Sequence, residues 1–533
     1  MNLIGNINAI PFRRFRGGGG VAPIPPFPSI TGMIVRYSAL GLTNEQMTAN
    51  PVWKDLTGNG HDLQMKNFAW KGMSGVGGYG DENYQTFYKF TLDDYVFIAN
   101  PPGVEHMNFT FRVTGLQPGN KLTLAFFGTT NTVYGTWNKD GIYTVDADIV
   151  EAGKPTYFYN GYGATRGEFT IEILPLYPGA LVFDGVDDYG VCKNFPILTK
   201  EKGYTVVALR QWDQDFLNTT LTGGLLSTRN YSTREGVAFE KIESSNKGYW
   251  NLGAGGIIDF AKSPFTWQTS KQYNNVGILK GDKNHGKPLC VGCGLSGGQQ
   301  CGRFAIWELV FLDHDATEEE LTKIKDYFVK TYPWLFPDQA WTVVGKTNED
   351  EDRATIANIT GNGNNLILSN FGFAEGSGYN EQGEYAGYLV TDGVDDKITS
   401  SIFEMGNDWT VIGDWELINT GKKDNAGIVK FDSIVIYNYN PILINIKNGR
   451  NNLIPDQNTV NAICSDGRIY SKDWKESIYN EETESTSKNF LTIGYSGNSY
   501  TKIAFKNLAI YPTVLSKEDC IKAYNYLQTL KAK

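Results

Sequence analysis

An internal duplication constrains this 533-residue chain more than any other feature of its sequence. Four segments recur in the same order. The earlier set is DLTGNGHDL (55–63), VFDGVDDYG (182–190), YTVVALRQW (204–212) and PLCVGCGLSG (288–297), and the later set is NITGNGNNL (358–366), VTDGVDDKI (390–398), WTVIGDWEL (409–417) and FLTIGYSGNS (490–499). A predicted helix follows each set, with a capping box of Thr317 and Glu320 in the first copy and Ser516 as the cap in the second. Repeated landmarks in a fixed order predict two copies of one fold.

The spacing of the landmarks locates an insertion in the first copy. Gly58 and Asp184 are 126 positions apart, whereas the equivalent Gly361 and Asp392 are 31 apart. About 95 additional residues therefore lie in the first copy. They alternate apolar and polar residues, as in NFTFRVTGL (108–116), between turn signals such as QPGN (117–120). This pattern predicts a small β-sandwich inserted into a surface loop, where an insertion is tolerated.

The composition is typical of an all-β protein. The chain has 60 glycines, 13% aromatic residues and 20% charged residues, which favours short strands joined by glycine turns. The formal net charge of −10 argues against a nucleic-acid partner, since binding to phosphates needs clustered cations. The sequence has no apolar run of about 18 residues, so we expect no insertion into a membrane.

The first residues differ from the rest of the chain. A secretory signal places its cations before an apolar segment, but here an interrupted apolar run comes first, so we expect no secretion by the general route. A four-glycine joint (17–20) and the stiff segment PIPPFP (23–28) follow. We predict that residues 1–29 are a docking peptide with a linker, the alternative being a terminus without a partner. The predicted docking residues are Leu3, Ile4, Ile7, Ile10, Phe12, Arg13, Arg14, Phe15 and Arg16.

The landmarks resemble a known family. TGNG (57–60), FDGVDDY (183–189), VGCG (291–294) near a glycine-rich turn and the capped helix together resemble the laminin-G-like, concanavalin-A-like lectin domains. The resemblance implies tandem jelly-roll sandwiches and a role in carbohydrate or protein recognition. The implied domains are the peptide and linker 1–29, a first sandwich 30–86 plus 179–336, an inserted small sandwich 87–178 and a second sandwich 337–533.

The overall organisation also resembles virion appendage proteins of tailed phages of the crAss-like group, which infect Bacteroidota. It implies a tail or head fibre in the virion, made in the host cytoplasm, that attaches to other virion proteins through the N-terminal peptide. The lectin-like domains would then contact host-surface polysaccharide, and we expect a homo-oligomer. A bacterial extracellular lectin or adhesin, a polysaccharide depolymerase on the same fold, and sandwiches that serve only as spacers remain alternatives.

The two DGVDD motifs are the richest clusters of carboxylates. Hard cations prefer several oxygen ligands at one point, and some relatives in the resembled family bind calcium, so a calcium site is a candidate. The alternative is turn chemistry, in which aspartate side chains accept hydrogen bonds from neighbouring backbone N–H groups. The candidate ligands are Asp184, Asp187, Asp188, Asp392, Asp395 and Asp396. No other cofactor is expected.

Aromatic side chains are the candidates for sugar contact, because their faces stack on the apolar faces of sugars. Most aromatic residues in a chain with 30 tyrosines serve the core or cross-strand packing. The candidates are Trp137, Tyr157, Tyr159 and Tyr162 in the insertion and Tyr231, Trp250 and Trp267 in the first sandwich.

Catalytic and cysteine chemistry give weaker signals. The single-strand pattern E-x-D-x-x-E of glucanases on this fold is missing, so we expect that the chain is not an enzyme. Six cysteines are too few for a disulfide framework. Cys290, Cys293 and Cys301, with His285 upstream, suit either one zinc ion or small buried residues at strand ends, and we favour the second reading.

Overall fold

The computed structural model describes most of both copies and of the insertion. The described residues are 25–79, 87–90, 95–98, 106–117, 119–126, 131–148, 150, 156–160, 169–196, 204–213, 216, 219–228, 238–241, 247–250, 256–259, 288–295, 299–314, 316–381, 385–418, 427–431, 434–437, 442–446, 450–454, 460–471, 474–478, 491–496 and 499–532.

The first copy is built from short strands on both sides of the insertion. Before the insertion come β1 (Met33–Ser38), helix α1 (Asn44–Ala49), β2 (Val52–Trp53), β3 (Leu63–Lys66) and β4 (Gly75–Val76). The insertion contains β5 (Phe87–Phe90), β6 (Tyr95–Ile98), β7 (His106–Thr114), β8 (Leu122–Phe126), β9 (Thr132–Trp137), β10 (Gly141–Asp148), β11 (Thr156–Asn160) and β12 (Phe169–Leu174). The first copy then resumes with β13 (Leu181–Asp184), β14 (Tyr189–Cys192), β15 (Thr205–Trp212), β16 (Gly223–Ser227), β17 (Ala238–Lys241), β18 (Lys247–Trp250), β19 (Gly256–Asp259), β20 (Leu289–Val291), β21 (Cys293–Leu295), β22 (Gln299–Cys301) and β23 (Arg303–Leu312).

The second copy repeats much of this strand order without the insertion, and its residues 343–354, which correspond to the segment with α1, form turns instead of a helix. Helix α2 (Glu318–Thr331) and a 3₁₀ turn (Pro333–Leu335) lead into it. Its strands are β24 (Gln339–Thr342), β25 (Thr355–Ile356), β26 (Leu366–Ser369), β27 (Gly378–Tyr379), β28 (Leu389–Val390), β29 (Lys397–Ser400), β30 (Thr410–Leu417), β31 (Gly427–Phe431), β32 (Ile434–Tyr437), β33 (Ile442–Ile446), β34 (Arg450–Ile454), β35 (Val460–Cys464), β36 (Arg468–Ser471), β37 (Glu476–Ile478), β38 (Thr492–Ile493), β39 (Tyr495–Ser496), β40 (Ser499–Tyr500) and β41 (Ile503–Tyr511), and helix α3 (Lys517–Leu527) follows.

Each copy pairs most of its strands into two mainly antiparallel sheets. In the first copy β16 and β22 pair in parallel, and in the second copy β39 and β40 form a separate two-stranded sheet. In the first copy β23 pairs with β1, β13 and β15, and β14 links β3 and β20 in the other sheet. In the second copy β41 pairs with β24, β28 and β30, and β29 links β26 and β38. The insertion forms two four-stranded sheets of its own, β10-β7-β12-β5 and β6-β11-β8-β9. The all-β fold with an inserted sandwich is therefore confirmed, while the predicted domain boundaries remain predictions.

The central strands are buried on both faces. One face of β23 packs into the first sandwich through residues such as Phe304 and Ile306, and the other face carries Trp307 and Val310 toward α2. Strand β41 is divided in the same way, with Phe505 facing its own sandwich. Because helices cover the outer faces, these strands are almost continuously apolar instead of alternating.

Both helix starts predicted from the sequence are confirmed. The Thr317 side chain accepts from the backbone N–H of Glu320, whose side chain reaches back to the N–H of Thr317. Ser516 accepts from the N–H of Asp519 at the start of α3. These contacts satisfy N–H groups that the first helical turn leaves unpaired. Within the described part of the chain, no helix has the length and apolar character needed to cross a membrane.

The end of the predicted linker packs on the first sandwich. The guanidinium of Arg36 lies 4.2 Å from the ring centroid of Phe27, and the ring of Tyr327 on α2 lies 4.8 Å from that of Phe27. Arg36 also donates from Nε and Nη2 to the buried carboxylate of Glu308, at 3.1 Å each. The chain is thus attached to the body from Phe27 onward, earlier than the predicted boundary at residue 29, because this aromatic ring covers a partly buried cation.

Candidate functional sites: the DGVDD turns and a tyrosine face

The first DGVDD motif forms a tight turn between β13 and β14. Oδ1 of Asp184 accepts from the backbone N–H groups of Val186 (2.7 Å) and Asp187 (3.4 Å). The buried Asp188 accepts from the N–H of Asp184 through Oδ2 (3.1 Å) and from the hydroxyl of Ser74 through Oδ1 (3.0 Å). Gly185 has a φ of 80°, and a Cβ there would lie 2.8 Å from Cβ of Arg303. The motif therefore has a structural reason for its glycine and for two of its aspartates.

The second motif repeats the same turn between β28 and β29. Oδ1 of Asp392 accepts from the N–H groups of Val394 (2.8 Å) and Asp395 (3.2 Å). Oδ2 of the buried Asp396 accepts from the N–H of Asp392 (2.8 Å). The two motifs match in hydrogen bonding as well as in sequence, so they are equivalent parts of one repeated fold.

The carboxylates within each turn lie close together. In each set of three, one oxygen per residue can be chosen so that all lie within 4.8 Å of one another. Burial, reinforced by the nearby Asp184, raises the pKa of Asp188 to about 8. Burial likewise raises the pKa of Asp396 to about 6, although a backbone hydrogen bond from Asp392 opposes the shift. Ionisation of Asp188 and of Asp396 is thus less favourable inside the fold than in water.

The turn geometry accounts for two aspartates in each motif without a metal ion, Asp184 and Asp188 in the first and Asp392 and Asp396 in the second. Several of the carboxylate oxygens that a cation would need already accept hydrogen bonds from N–H or O–H groups. The strand that follows each hairpin also lies against the turn, because Arg303 is the strand partner of Asp184 and the backbone of Lys502 lies beside Gly393. Calcium at these six aspartates remains a prediction from the sequence, and calorimetric titration of the full chain with calcium checks it.

A tyrosine face lies on the outer side of one sheet in the insertion. On β11, Phe158 is fully buried in the core between the two sheets, whereas Tyr157 and Tyr159 are half-buried on the opposite side. Tyr157 is the strand partner of Ala125, and Tyr159 is the partner of Thr123. The Thr123 hydroxyl lies 3.3 Å from the Thr136 hydroxyl. Val133 on β9 is the strand partner of Ala125 and is 59% exposed. Thr123 itself is buried, whereas Thr136 is exposed. We call Tyr157, Tyr159, Thr136 and Val133 the tyrosine face.

The layer order places the tyrosine face away from the rest of the molecule. The other sheet of the insertion turns its outer side toward the body, where Arg112 on β7 makes an ion pair with Glu518 on α3 at 3.3 Å. Ile142 and Leu174, from the same sheet, join the core that contains both helices. Since the two sheets meet through their inner sides, the tyrosine face is the far side of the insertion.

The structure separates the aromatic residues that the sequence grouped together. Trp137 is the strand partner of the buried Leu122, and its ring contacts that of Phe111 edge-to-face at a centroid distance of 4.8 Å. Trp137 thus packs in the core of the insertion, opposite to Tyr157 and Tyr159. Trp250 lies on β18, where the structure gives the backbone alone. The other predicted glycan contacts, Tyr162, Tyr231 and Trp267, lie outside the described residues, as do the docking residues Leu3, Ile4, Ile7, Ile10, Phe12, Arg13, Arg14, Phe15 and Arg16.

A disulfide that we did not expect closes a hairpin in the first sandwich. Cys293 on β21 and Cys301 on β22 are direct strand partners and are joined to each other, and the buried thiol of Cys290 lies in the same cluster. Burial raises the pKa of the Cys290 thiol to about 12. The zinc alternative is weakened, because two of its three cysteine ligands are used in the disulfide. The missed signal is the glycine-rich sequence between Cys293 and Cys301, which is typical of a hairpin whose strands place such residues face to face.

Comparison with known proteins gives distant similarities of fold. Neither a family model nor a curated protein matches the sequence. Among solved structures, the Trypanosoma rangeli sialidase aligns over 73% of this chain and 68% of its own at 8% identity, with a TM-score of 0.27. The botulinum neurotoxin serotype D binding domain aligns over 64% of this chain and 89% of its own at 10% identity, with a TM-score of 0.23. Scores this low assign neither a family nor a function.

The expectation that the chain is not an enzyme is wrong, because the sequence pattern does not exclude catalytic activity. Sialidases, which are enzymes, are among the structures that the chain resembles, although at 8% identity the similarity concerns the fold alone. The expectation depended on a carboxylate pattern within a single strand. Catalytic groups are defined by their geometry and often come from distant segments, so a missing local pattern excludes little. Laminin-G membership and a phage origin have no support from these comparisons.

Proposed function

We propose that this chain is a virion fibre or appendage protein that recognises host-surface glycans with its lectin-like sandwiches. The observation that carries the proposal is the tyrosine face. Two aromatic rings stand on one side of a strand, next to a hydroxyl group, on the side of the insertion that points away from the body. This is the composition expected of a surface that binds a polar ligand with apolar ring faces.

The spacing of the two rings suits an extended ligand. Residues two apart on a strand point to the same side and are separated by roughly 6.5–7 Å. Tyr157 and Tyr159 therefore form a short row along β11, and the exposed Thr136 adds a hydroxyl group alongside it. A chain of sugar rings lying along the row would stack on the tyrosines and exchange hydrogen bonds with Thr136.

The glycan part of the proposal is tested by binding of the full chain to an array of bacterial surface polysaccharides. We expect binding that drops at least about tenfold in a Tyr157→Ala/Tyr159→Ala double variant, because aromatic anchors dominate such interfaces. A Tyr157→Phe/Tyr159→Phe variant should keep most of the affinity, since it retains the rings. Tyr385→Ala, on the second sandwich, is the matched control. Unchanged binding in the alanine variant contradicts the role of this face. If the full chain binds no polysaccharide, the alternative that the sandwiches serve only as spacers is favoured.

The virion part of the proposal has the N-terminal sequence as its support. Because the chain is attached to the first sandwich from Phe27 onward, a deletion of residues 2–24 removes the docking peptide and leaves this contact in place. Mass spectrometry of purified phage particles should find the full chain and not the deleted form. Equal incorporation of both forms overturns the docking proposal, and absence of the full chain from particles favours a bacterial lectin. A reducing-end assay on the bound polysaccharide tests the depolymerase alternative.

A further inference from the structure

The hairpin that carries the disulfide in the first sandwich carries a tyrosine pair in the second. Tyr495 on β39 and Tyr500 on β40 are direct strand partners, as Cys293 and Cys301 are in the first copy. The two hairpins also close in the same way, since the N–H of Thr501 donates to the carbonyl of Gly494 at 2.9 Å and the N–H of Gly302 donates to that of Gly292 at 2.9 Å. The same position in the fold therefore holds a compact cross-link in one copy and two large rings in the other.

The tyrosine pair is accompanied by a lysine. The rings of Tyr495 and Tyr500 are half-buried, with centroids 5.0 Å apart. Lys397, the first residue of β29, places Nζ 5.8 Å from the Tyr495 ring centroid. The equivalent residue of the first copy is Tyr189, which packs against the cysteine cluster. The second copy has thus replaced a tyrosine and two cysteines with a cation beside two aromatic rings.

The neighbouring sheet surface extends this group. Along β29, Ile398 points into the core, so Lys397 and Thr399 lie on the outer side. Ile367 is the strand partner of Thr399 and is 45% exposed. A cation, a hydroxyl group, an apolar side chain and two rings therefore share one accessible surface on the second sandwich.

We propose that this surface is a second glycan site, which binds an acidic saccharide, with Lys397 pairing with the sugar carboxylate and Tyr495 and Tyr500 contacting its ring. The positive charge of Lys397 indicates an anionic ligand. A lysine next to aromatic rings is favourable to an anion that also has an apolar face, and a carboxylated sugar has both. The proposal adds a second site and a ligand class to the proposed function, and it shares no residue with the tyrosine face.

The test compares carboxylated and neutral probes on the full chain by calorimetry. The probes are trigalacturonate with its carboxyl-reduced form, and 3′-sialyllactose with lactose. We expect tighter binding of at least one carboxylated probe than of its neutral partner. Lys397→Gln should weaken that binding roughly tenfold and remove the preference, as expected for loss of a charge-assisted contact. Lys397→Arg should retain it. Lys66→Gln, an exposed lysine on the equivalent face of the first sandwich, is the matched control.

The outcomes separate this site from the tyrosine face. Tyr500→Ala should lower the affinity for the carboxylated probe, whereas Tyr157→Ala/Tyr159→Ala should leave this affinity unchanged. No preference for either carboxylated probe, or a preference that survives Lys397→Gln in a folded variant, overturns the second site. If array binding is lost through the tyrosine face while no acidic probe binds, this inference fails and the proposed function stands.

Discussion

At the scale of single residues, the two DGVDD turns show how one motif creates two different carboxyl groups. Asp188 and Asp396 occupy equivalent places and accept the same backbone N–H bond, at 3.1 Å and 2.8 Å. The pKa of Asp188 nevertheless rises further than that of Asp396, to about 8 against about 6, and burial is the largest cause in both. The first turn should therefore respond to pH in a range where the second is already ionised.

This difference predicts how stability depends on pH. The folded state holds the Asp188 proton more tightly than the unfolded chain, whose aspartates have a pKa near 3.8, so the stabilisation is complete below pH 4 and is lost as the pH rises toward 8. We expect the melting temperature to fall between pH 5 and pH 9 by about 2–4 °C more in the natural chain than in Asp188→Asn, measured by calorimetry. Asp187→Asn, the exposed neighbour, should behave like the natural chain. If the melting temperatures of all three proteins depend on pH in the same way, the raised pKa of Asp188 does not cause this dependence.

At the scale of elements, the two equivalent hairpins differ in what holds their strands together. The first is closed by Cys293–Cys301 and the second by contact between Tyr495 and Tyr500. A cross-link stabilises mainly by restricting the unfolded chain, while an aromatic pair contributes through packing in the folded state. The first hairpin is therefore sensitive to the redox conditions of its surroundings, and the second is not.

The disulfide gives a prediction at this scale. A loop with a sequence separation of 8 corresponds to about 2–3 kcal/mol of stabilisation in the chain-entropy model. We expect dithiothreitol to lower the melting temperature of the natural chain and to leave that of a Cys293→Ser/Cys301→Ser variant unchanged. Cys464→Ser, which changes a buried cysteine of the second sandwich that is not part of the disulfide, should keep the response to dithiothreitol. Equal responses in the natural chain and the double variant would show that the cross-link is not formed in solution.

The elements also show what the sequence can and cannot predict. The repeat, the insertion and both helix caps depend on local patterns, and each is visible in the sequence. The disulfide was missed because it depends on cross-strand register, and the count and spacing of cysteines do not reveal which residues face each other. Trp137 and Tyr159 were grouped for a similar reason, since alternation along a strand separates two faces without telling which one meets the other sheet.

At the scale of the molecule, both sandwiches and the insertion share one apolar core around α2 and α3. The ring of the buried Trp307 on β23 meets that of Tyr526 on α3 edge-to-face at 6.1 Å between centroids. Nε2 of Gln211 donates to the Thr529 hydroxyl at 3.4 Å, and Arg112 pairs with Glu518 at 3.3 Å. These contacts join the insertion and the first sandwich to α3 of the second copy, so the proposed recognition surfaces belong to parts of the chain that pack on one another.

A shared core predicts that the sandwiches unfold together. Tyr526→Ala removes a fully buried ring from the junction, a change that typically destabilises by about 3–5 kcal/mol. Because this ring contacts the first sandwich from a helix of the second, its loss should split a single calorimetric transition into two. Phe505→Ala removes a ring of similar burial from inside the second sandwich, so it should lower the melting temperature and keep one transition. Two transitions already present in the natural chain would mean that the junction does not couple the sandwiches. In that case the surfaces act as separate modules.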